Sequence, residues 1–184
     1  MKKIRITRYQ RYLLYVVGLV VAILFTVTGV KTARAEDETT VTVMLHKVLL
    51  DENDTTTKYD NQGTELAIND SALLNGAGFT VYDVTSLVDA GSTLSDLNKL
   101  NDTYGASYFD EKGLKVATEI TGTTGTKGLA TFQLPKLSNS RDAKYFIIET
   151  THPEIAKLEM SQPIFLAFPL SQDISNPVHL YPKN

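Results

Sequence analysis

Hydrophobic and polar residues alternate through VTVMLHKVLL (41–50), where Val41, Val43, Leu45, Lys47 and Leu49 share one side and Thr42, Met44, His46 and Val48 the other. This β-branched alternation predicts a strand. AGFTVYDVTSLV (77–88) predicts a second. In TLSDLNKLNDTYG the spacing changes: Leu94, Leu97, Leu100 and Tyr104 fall at helical intervals and Gly105 is a stop signal. TEITGTTGTKGLATFQLPKL (118–137) reads as a strand, a Gly/Thr turn and a strand over Ala130–Leu134. AKYFIIETTHP (143–153), QPIFLAFPL (162–170) and PVHLYPKN (177–184) complete the set. Residues 51–76 are rich in Asp, Asn, Thr and Gly and read mostly as a long connection. Short strands separated by turn signals predict an all-β antiparallel sandwich with one short inserted helix.

Residues 1–35 stand outside this pattern. Lys2, Lys3, Arg5, Arg8 and Arg11 precede an uncharged run from Leu13 to Val30, and Ala33-Arg34-Ala35 follows. This is the layout of a signal peptide cleaved after Ala35, leaving residues 36–184 as one domain. An uncleaved membrane anchor is the alternative, since the apolar run approaches the length of about 20 residues that spans a bilayer. Removing the signal changes the charge: it holds seven of the 18 Lys and Arg and no acid, leaving 11 bases against 21 acids, a net of −10. Nucleic acid and anionic lipid are therefore disfavoured as partners, because either needs a basic patch. The chain has no cysteine, so an exported domain of this kind must be held without disulfides.

Enzyme chemistry finds no motif. His46, His152 and His179 are the only histidines, and none sits in HExxH. A G-x-S-x-G elbow, a Walker loop and G-x-G-x-x-G are all missing, and no cofactor is implied. DENDTTTKYDNQG lacks the ligand spacing of a calcium loop, so no metal is expected there. Asn53, Asn69 and Asn101 fit the N-glycosylation pattern, but Asn-Asp-Ser/Thr is ordinary turn and cap chemistry and is read as such.

Three residues break the alternation in one way. Lys47 lies on the apolar parity of the first strand, Glu149 on the parity of Tyr145 and Ile147, and Asn184 on that of Val178 and Leu180. If those parities face the core, the three polar groups meet inside it, and buried charges must neutralise one another. A lysine in apolar surroundings gives up its proton more readily and becomes a nucleophile. A protonated glutamate beside it can polarise the asparagine carboxamide, so that the amine displaces ammonia and ties first strand to last. The alternative is bland: Lys47 reaches the rim, Glu149 ends a strand in solvent, and Asn184 is a loop residue.

VTVMLHKVLL, NGAGFTVYDV, TTGTKGLATFQLPKL, AKYFIIETTHPE and PIFLAFPLSQDISNPVHLYPKN follow one another as in the N-terminal domain of Gram-positive, sortase-assembled backbone pilins. YFIIET resembles that family's E-box, and VHLYPKN resembles its pilin motif, V-x-x-Y-P-K. The resemblance implies an immunoglobulin-like sandwich related to collagen-adhesin B-type domains. It also implies that Lys183, within Tyr181-Pro182-Lys183-Asn184, attacks the sortase-bound threonine of a neighbouring subunit. Partners implied are a class C sortase, other pilin subunits and host surface ligands, at a cell-surface pilus. Parity fits: with Val178, Leu180 and Asn184 inward, His179, Tyr181 and Lys183 face outward. An internal Lys47–Asn184 amide assisted by Glu149 is implied as well.

The sequence departs from the family pattern in places. A tryptophan usual four residues before the motif valine is Ile174 here, and TTGTKG lacks the usual turn aspartate. No L-P-x-T-G signal follows Asn184, so as written the chain is expected to accept a neighbour without donating, with Asn184 as a domain edge of a longer subunit. A secreted or membrane-tethered adhesin domain that does not polymerise, or a truncated pilin relic, is the competing expectation.

Overall fold

A computed structural model describes residues 39–49, 62–152, 160–171, 174 and 176–182. The signal segment with its cleavage point after Ala35, the first part of the long connection (51–61), Lys183 and Asn184 lie outside the described residues.

Two sheets face each other. The first has the order β4-β1-β9, from Leu129–Pro135, Thr40–His46 and Val178–Leu180. The second has the order β3-β2-β7-β8, from Lys115–Ile120, Gly78–Asp83, Lys144–Thr151 and Ile164–Ala167. A small hairpin joins β5 (Leu137–Ser138) to β6 (Arg141–Asp142). Asn139 and Ser140 turn it, both at positive φ. Val41, Val43, Leu45, Phe132, Val178 and Leu180 meet Phe79, Val81, Tyr145, Ile147 and Leu166 between the sheets. This is the core that the alternation predicts, and burying each large side chain contributes about 1.5–3 kcal/mol.

Among the described strands the pairing is antiparallel with one exception. β9 runs parallel to β1, with Val43, Met44 and Leu45 opposite Val178, His179 and Leu180. Strand alternation cannot reveal direction, because a parallel and an antiparallel neighbour bury the same face.

The inserted helical region is larger than the single helix expected. Three α-helices lie between β2 and β3: α1 (Thr85–Asp89), α2 (Leu94–Tyr104) and α3 (Ser107–Glu111). Helix α2 has the bounds its spacing predicts. Thr93 and Asp96 form a capping box at its start, and Gly105 ends it at φ +64°. The strand read through 77–88 stops at Asp83, whose carboxylate accepts the Thr85 N–H at 2.9 Å and turns the chain into α1. Leu97 and Phe109 then pack on Tyr82, Phe146 and Ile148, covering the outer face of the second sheet. The described part of the long connection holds a single 3-10 turn, Asp70–Ala72, capped by Asn69, which there does turn chemistry.

Candidate functional site

β1 ends at His46, and the next residue, Lys47, is pinned on both sides of its backbone. Its N–H donates to Gly128 C=O at 2.8 Å and its C=O accepts from Leu74 N–H at 2.9 Å. The side chain therefore continues the inward parity of Val43 and Leu45, and it is buried with no exposed surface. Leu49, on the same parity, is 40% exposed because the strand has ended.

Glu149 enters from the opposite sheet, on β7, where it pairs with Phe79 of β2. Lys47 Nζ donates to Glu149 Oε2 at 2.7 Å, with both side chains at 0% exposure. The pair thus bridges the two sheets at the end of the sandwich core. The same Oε2 accepts the Ser161 N–H at 2.7 Å and the Ser161 hydroxyl at 2.7 Å. Oε1 lies 3.1 Å from His152 Nδ1. Burial pushes the Glu149 carboxyl up, but donors from Lys47, Ser161 and His152 outweigh it and hold the group below its ordinary value. The geometry is that of a charged pair whose desolvation is offset by several hydrogen bonds.

Of the residues singled out by sequence, the fold brings Lys47 and Glu149 together. Asn184, the third member, lies outside the described residues, as does Lys183. Ser161 and His152 were not foreseen. The signal for His152 is its place three residues after Glu149, in ETTH. Ser161 lies in an irregular stretch before β8, where no periodicity marks it.

Tyr181 and Pro182 sit just past β9. The outward parity of His179 and Tyr181 holds, yet both are buried, which corrects the expectation that this face is open. His46 Nε2 and His179 Nδ1 are 2.9 Å apart, and the His46 ring also stacks on Tyr181 at 4.9 Å. The segment around Gly63 and Leu66 covers them. His179 N–H donates to Gly63 C=O at 3.0 Å, and Tyr181 OH accepts the Leu66 N–H at 2.7 Å. Gly63 stands at φ +80°, and a Cβ there would come within 2.7 Å of Ile174. Such a cover comes from more than a hundred residues away in the chain, beyond the reach of strand parity.

A lysine amine, a carboxyl and a proton between them can form an amide if a carboxamide is supplied. Among the described residues, no group of three His, Asp or Glu side chains could hold a metal ion, and no helix is long and apolar enough to cross a membrane.

Comparison with known proteins gives this arrangement a context. The N-terminal domain of the shaft pilin SpaA from Lactobacillus rhamnosus GG is similar at 29% identity and TM-score 0.57, covering 79% of this chain and 94% of that one. A longer crystal structure, of a SpaA shaft pilin mutant, is similar at 29% identity and TM-score 0.58; 79% of this chain aligns, spanning only 51% of that protein. The basal pilin SpaB of the same organism is similar at 26% identity and TM-score 0.52, covering 80% of this chain and 98% of that one. No curated protein sequence matches the chain. The family described as Gram-positive pilin subunit D1, N-terminal domain, matches residues 38–184, and the chain belongs to that family.

Proposed function

We propose that this chain is the N-terminal domain of a structural pilus subunit, exported through residues 1–35 with cleavage after Ala35 and displayed at the cell surface. It is not an enzyme. In this reading Lys183, of Tyr181-Pro182-Lys183-Asn184, is the acceptor for a class C sortase, which joins it by an isopeptide bond to the sorting threonine of the next pilin subunit. The observation that carries the reading is the family match over 38–184, which runs through the whole motif. The similarity to proteins described as shaft and basal pilins supports it. Tyr181 is buried against His46 of β1 and Pro182 is buried after it, so the residues leading up to the acceptor are anchored in the fold. Pro182 lacks an N–H and has a restricted φ, which keeps the backbone extended next to the lysine.

The same reading includes an internal amide between Lys47 and Asn184, assisted by Glu149. Parallel pairing of β1 with β9 supports it, because the two chains leave the sheet at the same end. Lys47 follows Leu45 by two residues, and Asn184 follows Leu180, the partner of Leu45, by four.

A boiled, reducing gel of surface and medium fractions, probed for this domain, tests the acceptor. The chain has no cysteine, so a surviving ladder is not disulfide-linked. A ladder that disappears in Lys183→Ala is expected. A lone band in the medium, unchanged by that substitution, would leave a free adhesin domain in its place.

A further inference from the structure

The oxygen that must take a proton from Lys47 is the most crowded acceptor in the site. Glu149 Oε2 receives Lys47 Nζ, the Ser161 N–H and the Ser161 hydroxyl, each at 2.7 Å. An ionised carboxylate can accept all three, because it has lone pairs and no hydrogen. A carboxylic acid accepts less well with the same oxygen as its hydroxyl: one lone pair becomes an O–H bond, directed at the Lys47 amine, and the two Ser161 donors are left with a less charged, more crowded acceptor. The other oxygen, Oε1, lies 3.1 Å from His152 Nδ1, a contact whose direction follows the histidine tautomer, so the donors that specifically favour the ionised form are those on Oε2. Ser161 is 6% exposed, so water does not take the place of its two donors.

Amide formation needs the opposite state. In the crosslinking reading above, on which this inference rests, the Lys47 Nζ–Asn184 Cγ bond forms and the Asn184 Cγ–Nδ2 bond breaks. Nζ gives up two protons, and both end on the departing nitrogen, which leaves as ammonium. Glu149 carries the first of these protons and finishes ionised. No oxidant or other reactant is required. The step begins only when the pair has passed from ammonium and carboxylate to amine and acid.

We propose that Ser161 is a positioning residue that holds the Lys47–Glu149 pair in its charged form and thereby sets how slowly the amine is released. The serine is a brake on the crosslink, and it is also what makes the charged pair tolerable in the core before the bond exists. Its backbone N–H would remain after substitution, so the hydroxyl is the part that mutation can remove.

Two measurements on the full chain separate this idea from the crosslink itself. With Asn184→Ala the internal bond cannot form, and carbon-13 NMR can follow the Glu149 carboxyl through a pH titration. Adding Ser161→Ala moves that titration upward, and Ser161→Thr, which keeps a hydroxyl, returns it. With Asn184 present, intact mass during cell-free synthesis follows the loss of ammonia. Ser161→Ala loses it faster than the parent, by about tenfold for each unit of carboxyl shift, and Ser161→Thr stays near the parent rate. If Ser161→Ala does not fold, Ser161→Cys, with its weaker donor, must move both readouts in the same direction. An unmoved carboxyl titration, or a shifted carboxyl with an unchanged or slower rate, overturns the brake. A parent that never loses ammonia overturns the internal crosslink, and the NMR titration then decides the role of Ser161 alone.

Discussion

His46 and Lys47 are adjacent in the chain, yet they enter two different kinds of surroundings. Lys47 points between the sheets and meets a carboxylate with several donors around it. His46 points to the other face of its sheet, where it stacks on His179 and Tyr181 beneath the Gly63–Leu66 segment. On the inner side, burial is reconciled with charge by supplying a partner and more hydrogen bonds. On the outer side, burial is reconciled with a titratable ring by favouring its neutral form. The difference teaches that a polar residue in a sandwich is accommodated by what faces it from elsewhere in the chain, since neither solution is local.

The strongest way to break the comparison is to remove the inner partner. Glu149→Ala leaves the Lys47 ammonium inside the core without its carboxylate, at a cost of about 3–5 kcal/mol. Denaturant unfolding on the Asn184→Ala background measures this without any covalent contribution. A loss no larger than an exposed pair gives, about 0–1 kcal/mol, would mean the cluster is not holding charge. Lys47→Met together with Glu149→Leu should recover most of the loss.

A smaller effect is expected on the outer side. Tyr181→Phe deprives the Leu66 N–H of its acceptor and costs about 1 kcal/mol. Hydrogen exchange should quicken at the Leu66 amide, while exchange at Lys47 and Ser161 stays as in the parent. Quickening at all three would mean that the two faces open together.

The finest distinction is in pH. Burial first, and then the neighbouring His179, lower the His46 pKa from its ordinary 6.5, with Glu65 opposing them. The unfolded chain therefore binds more protons below that value. Stability from this face is complete above pH 6.5 and declines as pH falls toward the lower folded value. Glu149 is also depressed, from an ordinary 4.5, so its contribution persists to lower pH and is lost only as pH falls below 4.5. Unfolding curves should show a first loss below pH 6.5 that His46→Gln flattens, with the second loss remaining. One merged transition would contradict the separation.

Much of this was legible in the residues. The inward lysine follows from Val41, Val43 and Leu45, and the inward glutamate from Tyr145 and Ile147, because strand periodicity carries burial over several residues. Helix α2 was legible because it is long enough to show its spacing. Helices α1 and α3 were not, for each has five residues, and VTSLV continues a β-rich run until a side-chain hydrogen bond from Asp83 diverts it. The direction of β9 was invisible to alternation. So were the cover over Tyr181 and the two donors from Ser161, which depend on contacts distant in sequence.

The parallel ladder has a consequence for timing. It joins the first strand to the last, and beside it Thr42 N–H donates to Asn176, 134 residues away in the chain. A chain delivered from its N-terminus must therefore wait, after Thr42 has emerged, for some 134 further residues before this end of the first sheet can close beside Val178 and Leu180. Until then one edge of β1 has no neighbour, and the hollow that receives Lys47 stays wet. An ammonium in water keeps its proton and does not react with amides. Completion of the fold is thus what dries the site, and until then Lys47 is an ordinary solvated ammonium rather than half of a buried ion pair.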